Sequence, residues 1–318
     1  MPQQGKKKRD FLTLLDLSKE EIHTLLEQTG FQKEMRRRGV LHQPLQGRTL
    51  GMIFEKASTR TRVSFEAGMY QLGGQAFFLS ARDIQLGRGE PLSDSAIVLS
   101  RYLDILLVRT YGHDKVEELA KHSSVPVING LSDSFHPCQI LTDIFTYEEN
   151  RGSIAGKRVA WIGDGNNMAN TWIEAAALLD FNLVLACPEG YEPEAMALLR
   201  VGRLLETGKG KVEVVRDPRV AAAGADLVTT DVWTSMGQEA EQQARIKAFS
   251  GYMVDEALMA LANPQALFMH CLPAHRGEEV TAGVMDSPQS VVWDEAENRM
   301  HFQKALLVWL LLGNQNDV

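Results

Sequence analysis

Short apolar runs rich in β-branched residues recur along the chain, and they are separated by longer segments in which apolar residues have helical spacing. Runs of about four to eight such residues indicate buried strands, and strands that alternate with helices are typical of parallel βαβ units. The runs predicted as strands are Thr49–Glu55, Ala76–Leu79, Ile105–Thr110, Val125–Asn129, Arg158–Gly163, Leu183–Cys187, Val212–Val215, Leu227–Thr230, Leu267–Cys271 and Val291–Trp293. The pattern predicts an α/β fold with central parallel sheets flanked by helices.

The sequence predicts the first and last helices from different signals. Ser18 and Glu21 have the spacing of a capping box, and the helix that they begin is expected to end near Gly39. The apolar run Ala305–Leu312 is far shorter than the roughly 20 residues that a bilayer-spanning helix needs. We therefore expect a C-terminal helix that packs on the body of the protein.

The chain of 318 residues is long enough for two domains. A helix predicted over Pro137–Glu149 is followed by a turn-forming segment, Asn150–Gly156, and then by a new strand. We expect the boundary there. The prediction is a first α/β domain of residues 1–150, a second of residues 151–299, and a C-terminal helix of residues 300–318 that packs back on the first domain.

Charge and cysteine content narrow the class of protein. With 33 Lys and Arg against 41 Asp and Glu, the net charge is −8, which argues against binding to nucleic acid or to anionic membranes. An anionic ligand would need a local basic cluster.

The three cysteines form no CxxC pair, which favours a protein of the reducing cytoplasm without a disulfide framework or a zinc ribbon. The basic residues near the N-terminus are followed by acidic ones, so a solvated tail is expected instead of a signal peptide.

Polar residues follow several predicted strands, at the places where open parallel sheets bind ligands. After the first strand, the segment Ser58-Thr59-Arg60-Thr61-Arg62 combines hydroxyls, arginine and a helix start, which suits a phosphate. The alternative is a capped helix with a basic surface turn. Arg109 ends another strand and needs an anionic partner or solvent. In the segment His136-Pro137-Cys138-Gln139, proline suits the first helical position, so His136 and Gln139 lie at the mouth of a helix and favour a polar ligand.

The second half has three further segments of this kind. The segment from Val159 to Met168 is similar to a dinucleotide-binding turn, but Met168 replaces the last glycine of GxGxxG. Asn166 and Asn167 within it either cap a helix or offer amides to a ligand. Asp231 follows a strand and precedes a glycine-containing loop, which suits an ammonium group. Cys271 is a candidate reactive thiol, and its alternative is a small buried side chain.

Together these segments resemble the signature motifs of the aspartate/ornithine carbamoyltransferase family. The resemblance covers nearly the whole chain, and several motifs in the same order are far more specific than any one of them. The motifs are Ser58-Thr59-Arg60-Thr61-Arg62, His136-Pro137-Cys138-Gln139, the segment from Asp231 to Gly237, His270-Cys271-Leu272-Pro273 and Glu295-Ala296-Glu297-Asn298-Arg299.

The resemblance implies transfer of the carbamoyl group of carbamoyl phosphate to an amine. The motif Ser235-Met236-Gly237 implies L-ornithine as acceptor, with L-citrulline and phosphate as products of a step in arginine biosynthesis or a urea-cycle-type pathway. The implied ligands of carbamoyl phosphate are Ser58, Thr59, Arg60, Thr61, Gln85 from a neighbouring subunit, Arg109, His136, Gln139, Cys271, Leu272 and Arg299. The implied ligands of ornithine are Asn167, with Asn166 as a weaker candidate, Asp231, Ser235 and Met236. The implied catalytic residues are Arg60, Arg109, His136, Asp231 and Cys271.

The family resemblance further implies a cytoplasmic homotrimer, or a multiple of trimers, that uses neither a cofactor nor a metal ion. Alternative acceptors within the family are putrescine, aspartate and N-acetylornithine. Two alternatives of other classes are an NAD-dependent dehydrogenase, which Met168 disfavours, and a binding protein without catalysis. The proton acceptor is open at this point: the leaving phosphate, Asp231 or Cys271.

Overall fold

The computed structural model describes residues 8–80, 89–234 and 239–313. Gln85, Ser235 and Met236 lie outside this part of the chain. The chain forms two compact units: the first comprises Met1–Cys138 and Arg299–Val318, and the second comprises Gln139–Asn298. These divisions fall within two helices, whereas the sequence predicts the first boundary in the turn after residue 149.

The first unit has a parallel four-stranded sheet with the order β2-β1-β3-β4. Its strands are β1 (Thr49–Phe54), β2 (Gln75–Ser80), β3 (Ile105–Arg109) and β4 (Val127–Leu131), and its helices are α1 (Lys19–Arg37), α2 (Thr59–Gln71), α3 (Leu92–Leu99) and α4 (His113–His122). Strand β3 is buried along its whole length. The strand order reverses between β1 and β3, and such a switch point is where open α/β sheets bind ligands.

The second unit has a parallel five-stranded sheet with the order β7-β6-β5-β8-β9. Its strands are β5 (Arg158–Ile162), β6 (Asn182–Ala186), β7 (Lys211–Val215), β8 (Leu227–Thr230) and β9 (Leu267–His270). The remaining helices are α5 (Pro137–Arg151), α6 (Asn167–Leu179), α7 (Ala195–Thr207), α8 (Pro218–Ala222), α9 (Gln242–Ala248), α10 (Glu256–Met259), α11 (Ala282–Met285) and α12 (Val292–Leu312). Here the order reverses between β5 and β8, so the second switch point lies where these two strands end.

The predicted fold class is confirmed, and so are both predicted ends of the first helix, because α1 begins after Ser18 and ends at Arg37, two residues before Gly39. The Ser18 hydroxyl accepts from the Glu21 amide at 3.3 Å, and the Glu21 carboxylate accepts from the Ser18 amide at 2.9 Å. The C-terminal part of α12 belongs to the first unit, where the ring centroid of Phe302 lies 6.4 Å from that of Phe11. The last helix therefore packs back on the first sheet as predicted.

One predicted strand is wrong: Val291–Trp293 lies at the start of α12. Its β-branched residues are typical of a strand, but extended pairing is limited to a bridge between Ser290 and Phe268. The Val291 amide donates to the carbonyl of Phe268, and the chain turns helical at Val292. Within the described ranges, no helix combines the length and the apolar composition that crossing a membrane requires.

Candidate active site

In the first unit, the polar segment after β1 forms the capped start of α2. The Ser58 hydroxyl accepts from the Thr61 amide at 3.2 Å and donates to the Thr61 hydroxyl at 3.1 Å. Thr61 is buried, whereas Thr59 and Arg60 are exposed. The cap thus fixes the first turn of α2 while the side chains of Thr59 and Arg60 stay accessible to a ligand.

Arg109 is held beside this segment by the sheet. It pairs with Phe54 at the ends of β3 and β1, and its carbonyl accepts from the Glu55 amide at 2.8 Å. The Arg109 side chain is buried. Lys56 forms an ion pair with Asp133, so the chain directly after β1 is held by both the end of β3 and the segment after β4.

Arg299 and His136 complete the group in the first unit. Arg299 lies on α12 and donates from Nη2 to the Thr61 hydroxyl at 2.8 Å. Burial, followed by the charges of Arg299 and Arg109, holds the pKa of His136 well below its ordinary value of 6.5. The imidazole is therefore neutral at pH 7 and lies within the field of two buried guanidinium groups. A neutral donor near two cations is suited to an anion that carries a polar carbonyl group.

In the second unit, Gln139 has one atom suited to a ligand N–H group. Its Nε2 donates to Asp143 at 2.7 Å and to Glu295 at 3.0 Å. Its Oε1 is buried and accepts no hydrogen bond from the residues that the structure describes. The other Glu295 oxygen accepts from the His270 amide at 2.9 Å, which ties the end of β9 to the same carboxylate. Within the motif that begins at Glu295, the sequence predicts a ligand-binding role for Arg299 and none for Glu295.

Asp231 lies at the end of β8 and accepts three hydrogen bonds. The donors are Asn166 Nδ2 at 2.9 Å, the Val232 amide at 2.8 Å and the Cys271 thiol at 3.2 Å. Asn166 also caps α6, since its Oδ1 accepts from the amides of residues 168 and 169. Of the two adjacent asparagines, Asn166 is thus the cap and the partner of Asp231. Asn167 is the first residue of α6 and is half-buried.

Cys271 is a thiol and not a thiolate. Burial is the main cause that raises its pKa well above the ordinary value of 9.0, and the charges of Asp231 and Glu295 raise it further. A reactive cysteine needs the opposite surroundings, with cations that stabilise the thiolate. The geometry makes Cys271 a hydrogen-bond donor to Asp231.

Two groups of side chains have the composition of metal ligands. In each group, one ligand atom from every residue lies within 4.8 Å of the others. The first group is Asp231, His270 and Cys271, and the second is His275, Glu278 and Glu279. In the first group, however, His270 uses both ring nitrogens in protein hydrogen bonds, and the Cys271 thiol keeps its proton. A metal ion there would have to displace these bonds.

The glycine-rich turn after β5 serves the protein's own packing. A Cβ at Gly165 would lie 2.2 Å from the backbone carbonyl carbon of Glu192, so a neighbouring chain segment fills this space. Met168 is buried. Both features disfavour the predicted alternative of a dinucleotide-binding turn, in which the pyrophosphate approaches the glycine backbone.

Comparison with known families gives two matches that together span most of the chain. The carbamoyl-P binding domain of aspartate/ornithine carbamoyltransferases matches residues 9–149, and their Asp/Orn binding domain matches residues 155–310. The chain belongs to the aspartate/ornithine carbamoyltransferase family. The resemblance predicted from the motifs is thus confirmed. The first domain match contains Thr61, Arg109 and His136, and the second contains Asp231, Cys271 and Arg299.

Relatives within this family are similar over nearly their full length. The ornithine carbamoyltransferase of Halorhodospira halophila is 63% identical over 305 residues, which are 96% of this chain and 99% of that one. The anabolic ornithine carbamoyltransferase of Pseudomonas aeruginosa is 59% identical over 303 residues, which are 95% and 97% of the two chains. The solved structure of ornithine carbamoyltransferase from Pyrococcus furiosus has a TM-score of 0.91 at 51% identity and covers 95% and 96% of the two chains.

Proposed function

We propose that this family member transfers the carbamoyl group of carbamoyl phosphate to the δ-amine of L-ornithine, which yields L-citrulline and phosphate. The observation that carries the proposal is the group of Arg109, His136 and Arg299 around the capped turn that contains Thr61. The relatives named ornithine carbamoyltransferase, at about 60% identity over nearly the whole chain, support ornithine as the acceptor.

Carbamoyl phosphate would be bound mainly through its phosphate. Ser58, Thr59, Arg60 and Thr61 would donate to the phosphate oxygens, and Arg109 and Arg299 would balance their charge. The neutral His136 would donate to the carbamoyl oxygen. Gln139 would accept from the carbamoyl nitrogen, for which its Oε1 is available. We include the Cys271 and Leu272 carbonyls as further acceptors for this nitrogen, and Gln85 of a neighbouring subunit as a further ligand.

Ornithine would be bound by Asn167, Asp231, Ser235 and Met236. The δ-ammonium has a lysine-like pKa of roughly 10.4, so presenting the neutral amine at pH 7 costs on the order of 4–5 kcal/mol. Desolvation and orientation must offset this cost, and orientation can contribute on the order of 7–11 kcal/mol. The Asp231 carboxylate attracts the ammonium form first. This form releases one proton to solvent water, and the neutral amine then attacks.

The chemical step then forms a bond between the amine nitrogen and the carbamoyl carbon, and the bond from this carbon to the phosphate oxygen breaks. The tetrahedral intermediate carries negative charge on the carbamoyl oxygen, which His136 and the arginines stabilise. We propose that the departing phosphate takes the amine proton. The protonated thiol of Cys271 is a poor base, which supports this route. The proposal involves no metal ion and no cofactor.

The proposal also includes the assembly, the cellular location, the pathway and the roles of the two domains. The family resemblance supports a homotrimer in the cytoplasm, and the relative named anabolic supports a role in arginine biosynthesis. The first predicted domain, residues 1–150, would bind carbamoyl phosphate, and the second, residues 151–299, would bind ornithine. A light-scattering mass other than a multiple of three chains would contradict the trimer.

The substrate assignment is tested by incubating the purified protein with carbamoyl phosphate and one acceptor at a time. Ornithine, aspartate, putrescine and N-acetylornithine are compared, and the carbamoylated product is quantified. We expect citrulline to form much faster than any other product. Preference for another acceptor would refute the choice of ornithine, and the absence of transfer to all four would refute the carbamoyl transfer itself.

A further inference from the structure

His270 is the last residue of β9, and its buried ring bonds to the backbone that follows it. Nδ1 accepts from the Leu272 amide at 2.9 Å. Because a backbone amide can only donate, Nδ1 carries no proton, and the proton of the neutral ring lies on Nε2. Nε2 then donates to Glu279 Oε1 at 3.0 Å. The tautomer of His270 is thus set by one backbone donor and one carboxylate acceptor.

The same Glu279 oxygen also fastens the other end of this segment. It accepts from the His275 amide at 2.6 Å, so one oxygen joins the side chain of residue 270 to the backbone of residue 275. Between these points Leu272 has a φ of 59°, in the left-handed region that residues with a side chain rarely adopt. A backbone in that region persists only where its surroundings hold it.

Stability alone is a poor explanation for this arrangement. Glu279 is fully buried, and its Oε2 has no hydrogen-bond partner among the residues that the structure describes. Burying a carboxylate with one unsatisfied oxygen is costly, and an apolar residue of similar size often stabilises a fold as well. The buried Glu279 carboxylate orients the segment of residues 270–275. A function of that segment explains the carboxylate more simply than stability does.

We infer that Glu279 and His270 are positioning residues that direct the Cys271 and Leu272 carbonyl groups toward the carbamoyl amide. Glu279 holds the His270 ring, the ring holds the Leu272 amide, and the left-handed turn at Leu272 sets the direction of both carbonyls. The inference rests on the proposed function, which gives these carbonyls the amide of carbamoyl phosphate as their donor.

Matched substitutions separate positioning from folding. In His270→Asn, the side-chain oxygen can still accept from the amide two residues ahead, as asparagine does in turns. His270→Leu fills similar space without an acceptor. Glu279→Gln keeps an acceptor for Nε2, whereas Glu279→Leu removes it. Glu174 is the control because it is also fully buried and forms an ion pair, with Arg200 at 3.4 Å.

We expect kcat to fall roughly tenfold to a hundredfold in both leucine variants and to stay within about threefold of the wild type in His270→Asn and Glu279→Gln. Glu174→Leu should lower the Tm and leave kcat unchanged. A second measurement needs no turnover: calorimetric binding of inorganic phosphate and of the phosphonate analogue of carbamoyl phosphate, whose bridging oxygen is a CH₂ group. The leucine variants should weaken analogue binding about tenfold and leave phosphate binding unchanged, because only the analogue carries the amide.

Equal kcat in His270→Asn and His270→Leu would overturn the inference. So would Glu279→Leu with a lowered Tm and wild-type kcat, or variants that weaken phosphate and analogue equally. Failure of the proposed function has a different signature, since the wild-type protein itself would then carbamoylate no acceptor.

Discussion

Substituting Asp231 by asparagine tests the acceptor half of the proposed function. The carboxylate accepts from Asn166 Nδ2, the Val232 amide and the Cys271 thiol, at 2.9, 2.8 and 3.2 Å. Asparagine has nearly the same shape, but one of its two polar atoms is a donor. Whichever way the amide is turned, its NH₂ group faces one of these donors. The change therefore removes the charge and disturbs the hydrogen bonds without creating a cavity.

The size of the effect follows from the lost charge. A carboxylate and an ammonium about 4 Å apart attract each other by about 4 kcal/mol at the effective dielectric constant of about 20 that suits such sites. At roughly 1.4 kcal/mol per factor of ten, this corresponds to a fall of about a thousandfold in kcat/KM for ornithine. Carbamoyl phosphate, which is assigned to other residues, should keep its KM within about threefold.

The assay is the initial rate of citrulline formation, with each substrate varied while the other is saturating. Asp286→Asn is the control because that carboxylate is exposed and forms a surface ion pair with Arg276 at 3.2 Å. The control substitution should leave KM and kcat/KM unchanged for both substrates. An Asp231→Asn enzyme with an unchanged KM and kcat/KM for ornithine, or with a defect confined to carbamoyl phosphate, would refute the assignment.

Three further changes probe other parts of the molecule. Arg60→Ala should lower kcat/KM for carbamoyl phosphate at least about a hundredfold with little change in Tm, because the side chain is exposed; a matching loss of Tm would indicate a structural role. Burial raises the pKa of Asp164 from 3.8 to about 6, so the folded state binds this proton more tightly and loses about 3 kcal/mol of stability as the pH rises through this range. In Asp164→Asn, the free energy of unfolding measured in urea should no longer show this fall between pH 4 and pH 7. A pH dependence equal to that of the wild type would contradict the prediction. Gly165→Ala should destabilise by about 1–3 kcal/mol because its Cβ would lie 2.2 Å from the backbone of residue 192, whereas Gly202→Ala, with open space around it, should not.

Much of the candidate site could be predicted from local sequence because it lies at element ends. A Ser before a helix, a proline at a first helical position and an arginine after an apolar run each place a side chain relative to its own strand or helix. These signals predict the positions of Ser58, His136 and Arg109. Parallel strands then bring these ends to one edge of the sheet, so local signals suffice to group residues far apart in sequence.

Local sequence failed where two interpretations share one pattern. The run Val291–Trp293 has the composition of a short strand, but a short apolar run also fits the first turn of a buried helix. Only contacts with β9 decide between them, since the chain forms one bridge at Ser290 and then turns helical. The adjacent asparagines are a similar case, because the cap is identified by its contacts with Asp231 and the helix amides.

Buried acidic groups were missed for a different reason. Glu279 follows Arg-Gly-Glu in the sequence, and Glu295 lies within a charged segment, so both have the local pattern of a solvated surface. Their burial depends on partners elsewhere in the second unit, namely His270 for both and Gln139 for Glu295.

Charges that come together only in the folded chain also decide the chemistry of Cys271. Beside burial, the neighbouring carboxylates raise the pKa of this thiol, so the residue that sequence alone marks as a candidate reactive thiol is held in its protonated form. The proton of the attacking amine must then go to another group, and in the proposed reaction the departing phosphate is that group.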